Sequence, residues 1–198
     1  MTTAEELALA ERIARQQHAG QKDKQGLDYI LHVERVVAAV EGADQEVVAW
    51  LHDVIEDTPT SSVDLYQAGI SIDNVISVVR VTKMKRPPGM TADEAYERFI
   101  RSIKHSGDPV ALTVKIADVH DHLTRPDGIE SMRPRYERAM QILTGGTWKE
   151  GDNGQAASAF VEAWENVSLD AIDEIEIVIP DAPEFKGDDL DDLPEGAE

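Results

Sequence analysis

Apolar residues recur at helical spacing through most of residues 1–145, and polar breaks divide them into segments. Residues 4–18 place Leu7, Ala10, Ile13 and Ala14 on one side, and Gly20 closes the segment. Residues 20–28 (GQKDKQGLD) read as a polar loop. A second helix is predicted from a cap at Asp28 to Gly42, with His32 set among Val33, Val36, Val37 and Val40. A third is predicted from a cap at Asp44, with Val47, Val48, Trp50, Leu51, Val54 and Ile55, and Thr58-Pro59 stops it. Residues 61–69 form a short helix ending at Gly69, and residues 71–82 form another with Val and Ile on one side. A basic loop, KMKRPPGM, covers residues 83–90. Helices are predicted over residues 91–105 and 108–124. Gly107-Asp108-Pro109 acts as a stop and start between them, with Asp at the cap and Pro in the first turn. Residues 131–143 make the last helix of this body.

The pattern then changes. Residues 144–153 (TGGTWKEGDN) read as a linker, and residues 154–168 as a helix with Phe160 and Trp164 on one face. Residues 172–179 (IDEIEIVI) alternate apolar and acidic side chains, a strand signal that needs a partner strand. Residues 181–198 are acidic and rich in Pro, Gly and Asp, the composition of a disordered tail. The expected organisation is an all-α body over 1–145, an extension over 146–180 and a tail over 181–198. The extension suits a lid or a homo-oligomer contact, and the sequence does not separate the two.

Charge sharpens this division. The net charge is −20, but residues 150–198 hold 16 of the 39 acidic residues and one of the 19 basic ones. The body is therefore only mildly acidic and need not repel an anionic small molecule. Nucleic-acid binding through general electrostatics is not expected. There is no cysteine, which excludes disulfides and thiolate metal sites. The N-terminal residues show no apolar h-region, and no apolar run approaches 18 residues. A soluble, cytoplasmic protein without membrane contact is expected.

The candidate chemistry centres on LHDVIEDT, Leu51 to Thr58. In one continuous helix, His52, Asp53, Glu56 and Asp57 would share a single wedge within an apolar pattern. Like charges so close repel, so the cluster calls for protons or a cation. A solvated acidic face is the bland alternative, and the apolar flanks argue against it. His32 upstream and Asp118 downstream are the other candidate ligands. Two histidines and two carboxylates from three helices make a mixed N/O site suited to Mn²⁺, Fe²⁺ or Zn²⁺ rather than Ca²⁺. Such an ion lowers the pKa of water and polarises a phosphoryl oxygen, which implies phosphoester hydrolysis.

Three blocks then carry a family likeness: HAGQKDKQGLDYILHV, WLHDVIEDTPTS, and VVRVTK followed by VKIADVHDHL. Over roughly residues 5–142 the chain resembles the HD hydrolase domain of the RelA/SpoT proteins, above all its small stand-alone versions. The resemblance implies an all-helical HD bundle that binds Mn²⁺, with Zn²⁺, Fe²⁺ or Co²⁺ as alternatives. It implies removal of the 3′-diphosphate of (p)ppGpp, some members acting on related nucleotides such as NADPH. It assigns His32, His52, Asp53 and Asp118 as metal ligands, and Glu56 and Asp57 as the pair that orients and deprotonates the attacking water. Lys24, Tyr29, Lys83, Lys115 and His122 fall at substrate-binding positions. No synthetase activity is expected.

The departures are specific. The family's Arg nine residues before its histidine, which stacks on guanine, is here Asp23. Gly-Glu-Pro-Tyr is Gly26-Leu27-Asp28-Tyr29, and His-Pro is His32-Val33. The Asn four residues after the last metal Asp is His122, which could extend the metal site, hold a phosphate or contact a ribose. An Arg guanidinium stacks on a base and pairs with phosphate, and Asp does neither. Metal-binding and water-activating groups are thus retained while nucleoside-reading groups are changed. Two alternatives stay open: a phosphohydrolase for another nucleotide, such as NADPH or a deoxynucleotide, and a non-catalytic nucleotide-sensing or interaction module. His18 and His105 read as surface residues, and His120 as outside the site.

Overall fold

A computed structural model describes residues 2–125 and 130–146. The described residues lie within one compact unit. They form α1 (Thr3–Gln17), α2 (Ile30–Ala38), α3 (Ala43–Leu51), α4 (Val54–Asp57), α5 (Ser62–Ala68), α6 (Ile72–Val81), α7 (Ala92–His105), α8 (Pro109–Thr124) and α9 (Arg133–Leu143). A 3₁₀ turn, Glu130–Met132, precedes α9. The expected all-α body is therefore observed, and no described helix is long and apolar enough to cross a membrane. The helix expected at 154–168, the strand at 172–179 and the tail at 181–198 lie outside the described residues.

Local chemistry sets the helix starts. Thr2 with Glu5, Ser61 with Asp64, and Thr91 with Glu94 each form a reciprocal capping box at α1, α5 and α7. Asp108 accepts from the Ala111 N–H at 3.0 Å, with Pro109 in the first turn of α8, as its spacing predicts. Two expected caps are corrected. The Asp28 side chain takes the Lys22 ammonium at 2.7 Å instead, and α2 begins one residue after Tyr29. Asp44 lies inside the first turn of α3, and Gly42, at φ +113°, holds the cap position that a side chain would strain.

The HD segment also differs from expectation. α3 ends at Leu51, His52 and Asp53 form a turn, and α4 restarts at Val54. His52 Nδ1 donates to the Ala49 carbonyl at 2.7 Å, taking the acceptor that an uninterrupted helix would offer to residue 53. The helix is therefore interrupted at the pair, while the Asp57 N–H still reaches the Asp53 carbonyl at 2.9 Å. His52 is buried, Asp53 is nearly so, and Glu56 and Asp57 lie toward the open edge.

α3 packs against α1, α2, α6 and α8, and α8 packs against α2, α3, α6, α7 and α9. These two helices form the middle of the bundle. Val47, Val48, Ala49, Trp50 and Leu51 are buried on α3. α8 is buried on nearly every side, including Thr113, Lys115, Asp118 and Asp121. A helix enclosed all round is normally apolar, so these polar residues must find partners inside the bundle.

Candidate metal centre

α2, the α3–α4 turn and α8 bring His32, His52, Asp53 and Asp118 together. His32 Nδ1 donates to Asp121 Oδ2 at 2.7 Å, and His52 Nδ1 donates to the Ala49 carbonyl at 2.7 Å. With Nδ1 protonated, each neutral imidazole turns the lone pair of Nε2 inward. The two Nε2 atoms are 3.4 Å apart. Asp53 Oδ2 lies 2.9 Å from His52 Nε2 and 3.7 Å from His32 Nε2, and Asp118 Oδ1 lies 3.4 Å from His32 Nε2. Two lone pairs and two carboxylates facing one another require protons or a cation among them. Donation of the far ring nitrogen to a carbonyl or carboxylate is also how histidine ligands are oriented. The donor set fits a divalent ion with mixed N/O preference.

The field in this cluster is strong. Burial alone would lower the His32 pKa, but hydrogen bonds to Asp118, Asp121 and Asp53 hold it well above the usual histidine range. His52 is raised against the same burial by the charge and hydrogen bond of Asp53. Burial opposes ionisation of Asp53 and Asp118. The His52 and His32 contacts for the one, and Lys115, His122 and His32 for the other, keep both carboxyls well below their usual range. A divalent ion among these groups would take the place of the Nε2 protons and release them.

Of the water-activating candidates, Asp57 has its pKa raised by partial burial and by the charges of Asp53 and Glu56. Glu56 is held by Lys83, through the backbone N–H at 2.9 Å and through the ammonium. Lys83 thus reaches the site edge already paired. Tyr29 donates its hydroxyl to Asp53 Oδ2 at 2.5 Å, fixing that carboxylate. Lys115, expected near phosphates, is buried instead. It binds Asp118 Oδ2 at 2.8 Å and lies over the Phe99 ring. Lys24 lines an open cleft of about 260 Å³ shared with Gln21, Tyr29, His32, His122 and Arg125. A larger hollow, about 430 Å³, lies along α7 and α9 and contains none of the candidate ligands.

Asp121 belongs to this cluster although the sequence leaves it unassigned. It also accepts from Arg35 Nε at 2.5 Å, so it locks His32 to α8. Its signal was available: Arg35 follows His32 by one turn, and Asp121 follows Asp118 by one turn. Tyr136 of α9 was also missed. It stacks on His122 at 4.6 Å and 7° between planes, and nothing in its helical spacing marks it. His18 is not a surface residue. It is buried beside Tyr29 with Nδ1 2.6 Å from Gln21 Oε1, because the chain turns back over it after α1. His105 is exposed as expected, and His120 is absent from the metal-competent groups of described residues.

No protein-family model matches the sequence, and no curated protein does. Among solved structures, the chain is similar to a metazoan ortholog of SpoT, described as hydrolysing ppGpp and playing a role in starvation responses. The TM-score is 0.58 at 21% identity, over 82% of this chain and 97% of that one. The helical bundle implied by the RelA/SpoT resemblance is thus the fold observed.

Proposed function

We propose that this protein is a metal-dependent nucleotide phosphohydrolase, with His32, His52, Asp53 and Asp118 as the metal ligands. One observation carries the reading: two buried imidazole nitrogens face each other at 3.4 Å between two carboxylates, each ring oriented from behind. When bound, a divalent ion supplies Lewis acidity toward a phosphoryl oxygen and makes water more acidic. Mn²⁺ is the ion that the RelA/SpoT resemblance favours, with Zn²⁺, Fe²⁺ and Co²⁺ as alternatives.

The chain's own groups supply the rest. His32 and His52 stay neutral and oriented once their Nε2 atoms have a cation to bind. Asp57, its pKa raised, takes a proton from the attacking water, which is general base catalysis. Glu56, restrained by Lys83, orients that water. Lys24 and Arg125 in the adjoining cleft, with Lys83 at the edge, meet phosphate charge.

The substrate is a nucleotide carrying an accessible phosphate ester or diphosphate, of which (p)ppGpp is the first reading. The SpoT ortholog's described activity supports it. A specific feature favours another nucleotide. Asp23 accepts the N–H groups of Gln25 and Leu27 at 2.9 Å each and pairs with Arg125 at 3.6 Å. It organises its own loop and offers no stacking surface to a base. The test is phosphate and pyrophosphate release, with Mn²⁺, from a panel of ppGpp, NADPH, ribonucleoside and deoxyribonucleoside triphosphates. Release that Glu56→Ala abolishes supports the enzyme, and the substrate turned over decides the specificity. Silence across the panel with metal bound would support a non-catalytic nucleotide-sensing module instead. A protein of the cytoplasm, acting on a nucleotide without nucleic acid or membrane and able to form a homo-oligomer, is consistent with this proposal.

A further inference from the structure

We propose that His122 is a fifth protein ligand of the same metal centre, an inference that rests on the metal-centre reading above. His122 lies on α8 one turn beyond Asp118. Its Nε2 is 3.3 Å from Asp118 Oδ1, the oxygen that lies 3.4 Å from His32 Nε2. Ligand atoms of His32, Asp118 and His122 all fall within 4.8 Å of one another, as do those of His32, His52 and Asp53. Donor atoms at about 2.1 Å from one ion stand about 3 Å apart when adjacent and about 4.2 Å when opposite. The observed separations are close to those of neighbouring ligands.

These two triads describe one centre rather than two. Both contain His32, whose Nδ1 is committed to Asp121 at 2.7 Å. Only Nε2 is left to bind, and one lone pair holds one ion. Any ion held by His32 therefore sits within reach of both triads, and His122 adds a nitrogen to the set.

The ring of His122 is also held in place. It lies between His32, with centroids 4.9 Å apart, and Tyr136, at 4.6 Å and nearly parallel. This stack fixes the imidazole plane while Nε2 stays directed at Asp118. The Asn of the resembling family has no such ring. A third imidazole beside two carboxylates removes one open position from the ion. It also moves the donor set toward ions that prefer nitrogen, Zn²⁺ and Fe²⁺, and away from Mn²⁺.

The experiment separates this role from stacking and from the parent reading. Metal-stripped full-length protein is titrated with Mn²⁺ and with Zn²⁺, and the Mn²⁺ complex is examined by pulsed EPR for coordinated ¹⁴N. The variants are His122→Phe, His122→Asn and Asp53→Ala. Phe keeps the ring stack and removes the nitrogens. Expected for His122→Phe is a loss of Mn²⁺ affinity of about tenfold or more, the lower bound for disturbing even an outer partner of a metal ligand. The Zn²⁺ loss should be larger, and one imidazole coupling should vanish from the spectrum. Should the Phe variant not fold, His122→Asn carries the same expectations. Unchanged affinity with an unchanged nitrogen spectrum overturns the proposal. So does weakened affinity with the nitrogen spectrum intact, since His122 would then only position Asp118. If Asp53→Ala binds Mn²⁺ like the unaltered protein, the metal-centre reading itself fails. If only His122→Phe does so, the fifth ligand alone fails.

Discussion

Asp121 touches no proposed reacting group, yet replacing it should weaken metal binding. Its Oδ2 takes the His32 Nδ1–H at 2.7 Å, and its Oδ1 takes Arg35 Nε at 2.5 Å. It fixes the His32 tautomer and raises the basicity of the Nε2 facing the site. Removing such a partner costs about 10–100-fold in metal affinity, or about 1.4–2.8 kcal/mol. Asp121→Asn keeps the shape and a neutral acceptor, so its loss should fall near the lower bound. Asp121→Ala leaves the buried Nδ1–H with no acceptor and lets the ring change tautomer, so its loss should fall near the upper bound. Arg35 is 43% exposed, so solvent screens the guanidinium end of its pair with the buried Asp121. Arg35→Gln should therefore change affinity little, which locates the effect in the His32 bond. The assay is calorimetric titration of Mn²⁺ into metal-stripped protein at constant pH and salt. Wild-type affinity in Asp121→Ala, or weaker binding by the Asn variant than by Ala, would show that the Asp121–His32 bond does not support metal binding.

Glu56→Ala and Asp57→Asn should each lower turnover by about 10²–10⁴-fold while leaving metal content unchanged, measured by steady-state kinetics beside elemental analysis. His52→Ala and Asp53→Ala should lose metal and turnover together; a variant that keeps its metal would contradict its assignment as a ligand. Lys115→Met leaves Asp118 buried without its ammonium partner, which should cost about 3–5 kcal/mol in chemical denaturation of the metal-free protein. Added Mn²⁺ should recover part of that loss, and a change under about 1 kcal/mol would contradict the buried pair. Asp108 gives the pH test. Burial opposes its ionisation, but the Ala111 N–H, Ser77 and Arg80 hold its pKa below the ordinary 3.8. Its contribution is present above pH 3.8 and is lost as pH falls through the lower folded value. Asp108→Asn should therefore lower the melting temperature at neutral pH and flatten its decline below pH 3.8. Parallel melting curves across that range would count against the assignment.

The sequence carried most of the architecture because helix starts and stops are local chemistry. Asp108-Pro109, Ser61, Gly69 and Thr58-Pro59 act through their immediate neighbours, and each stands at a helix boundary in the structure. Asp28 and Asp44 failed as caps because their alternatives are not local in the same way. Lys22 reaches Asp28 across a loop, and Gly42 turns the chain by a backbone conformation that no side chain announces. Helical periodicity also suggested an unbroken helix through His52. The break depends on a histidine side chain competing for a backbone carbonyl, which periodicity does not encode. In the site, His32, His52, Asp53 and Asp118 were legible from residue type and motif, and the structure brings them together. Asp121, Tyr136 and the burial of Lys115 depend on which faces of α2, α7, α8 and α9 meet. Those are long-range facts, and an enclosed helix such as α8 has no amphipathic stripe from which to read them.

One titration tests whether a single metal centre drives phosphoester hydrolysis. Metal-stripped protein would receive Mn²⁺ in steps, with bound metal and product release from its best nucleotide followed in the same samples. Turnover should be absent without metal and should rise until about one ion per chain has bound, the limit set by a shared His32 Nε2. Turnover by the stripped protein, or none once that ion is in place, would contradict a metal-driven hydrolysis.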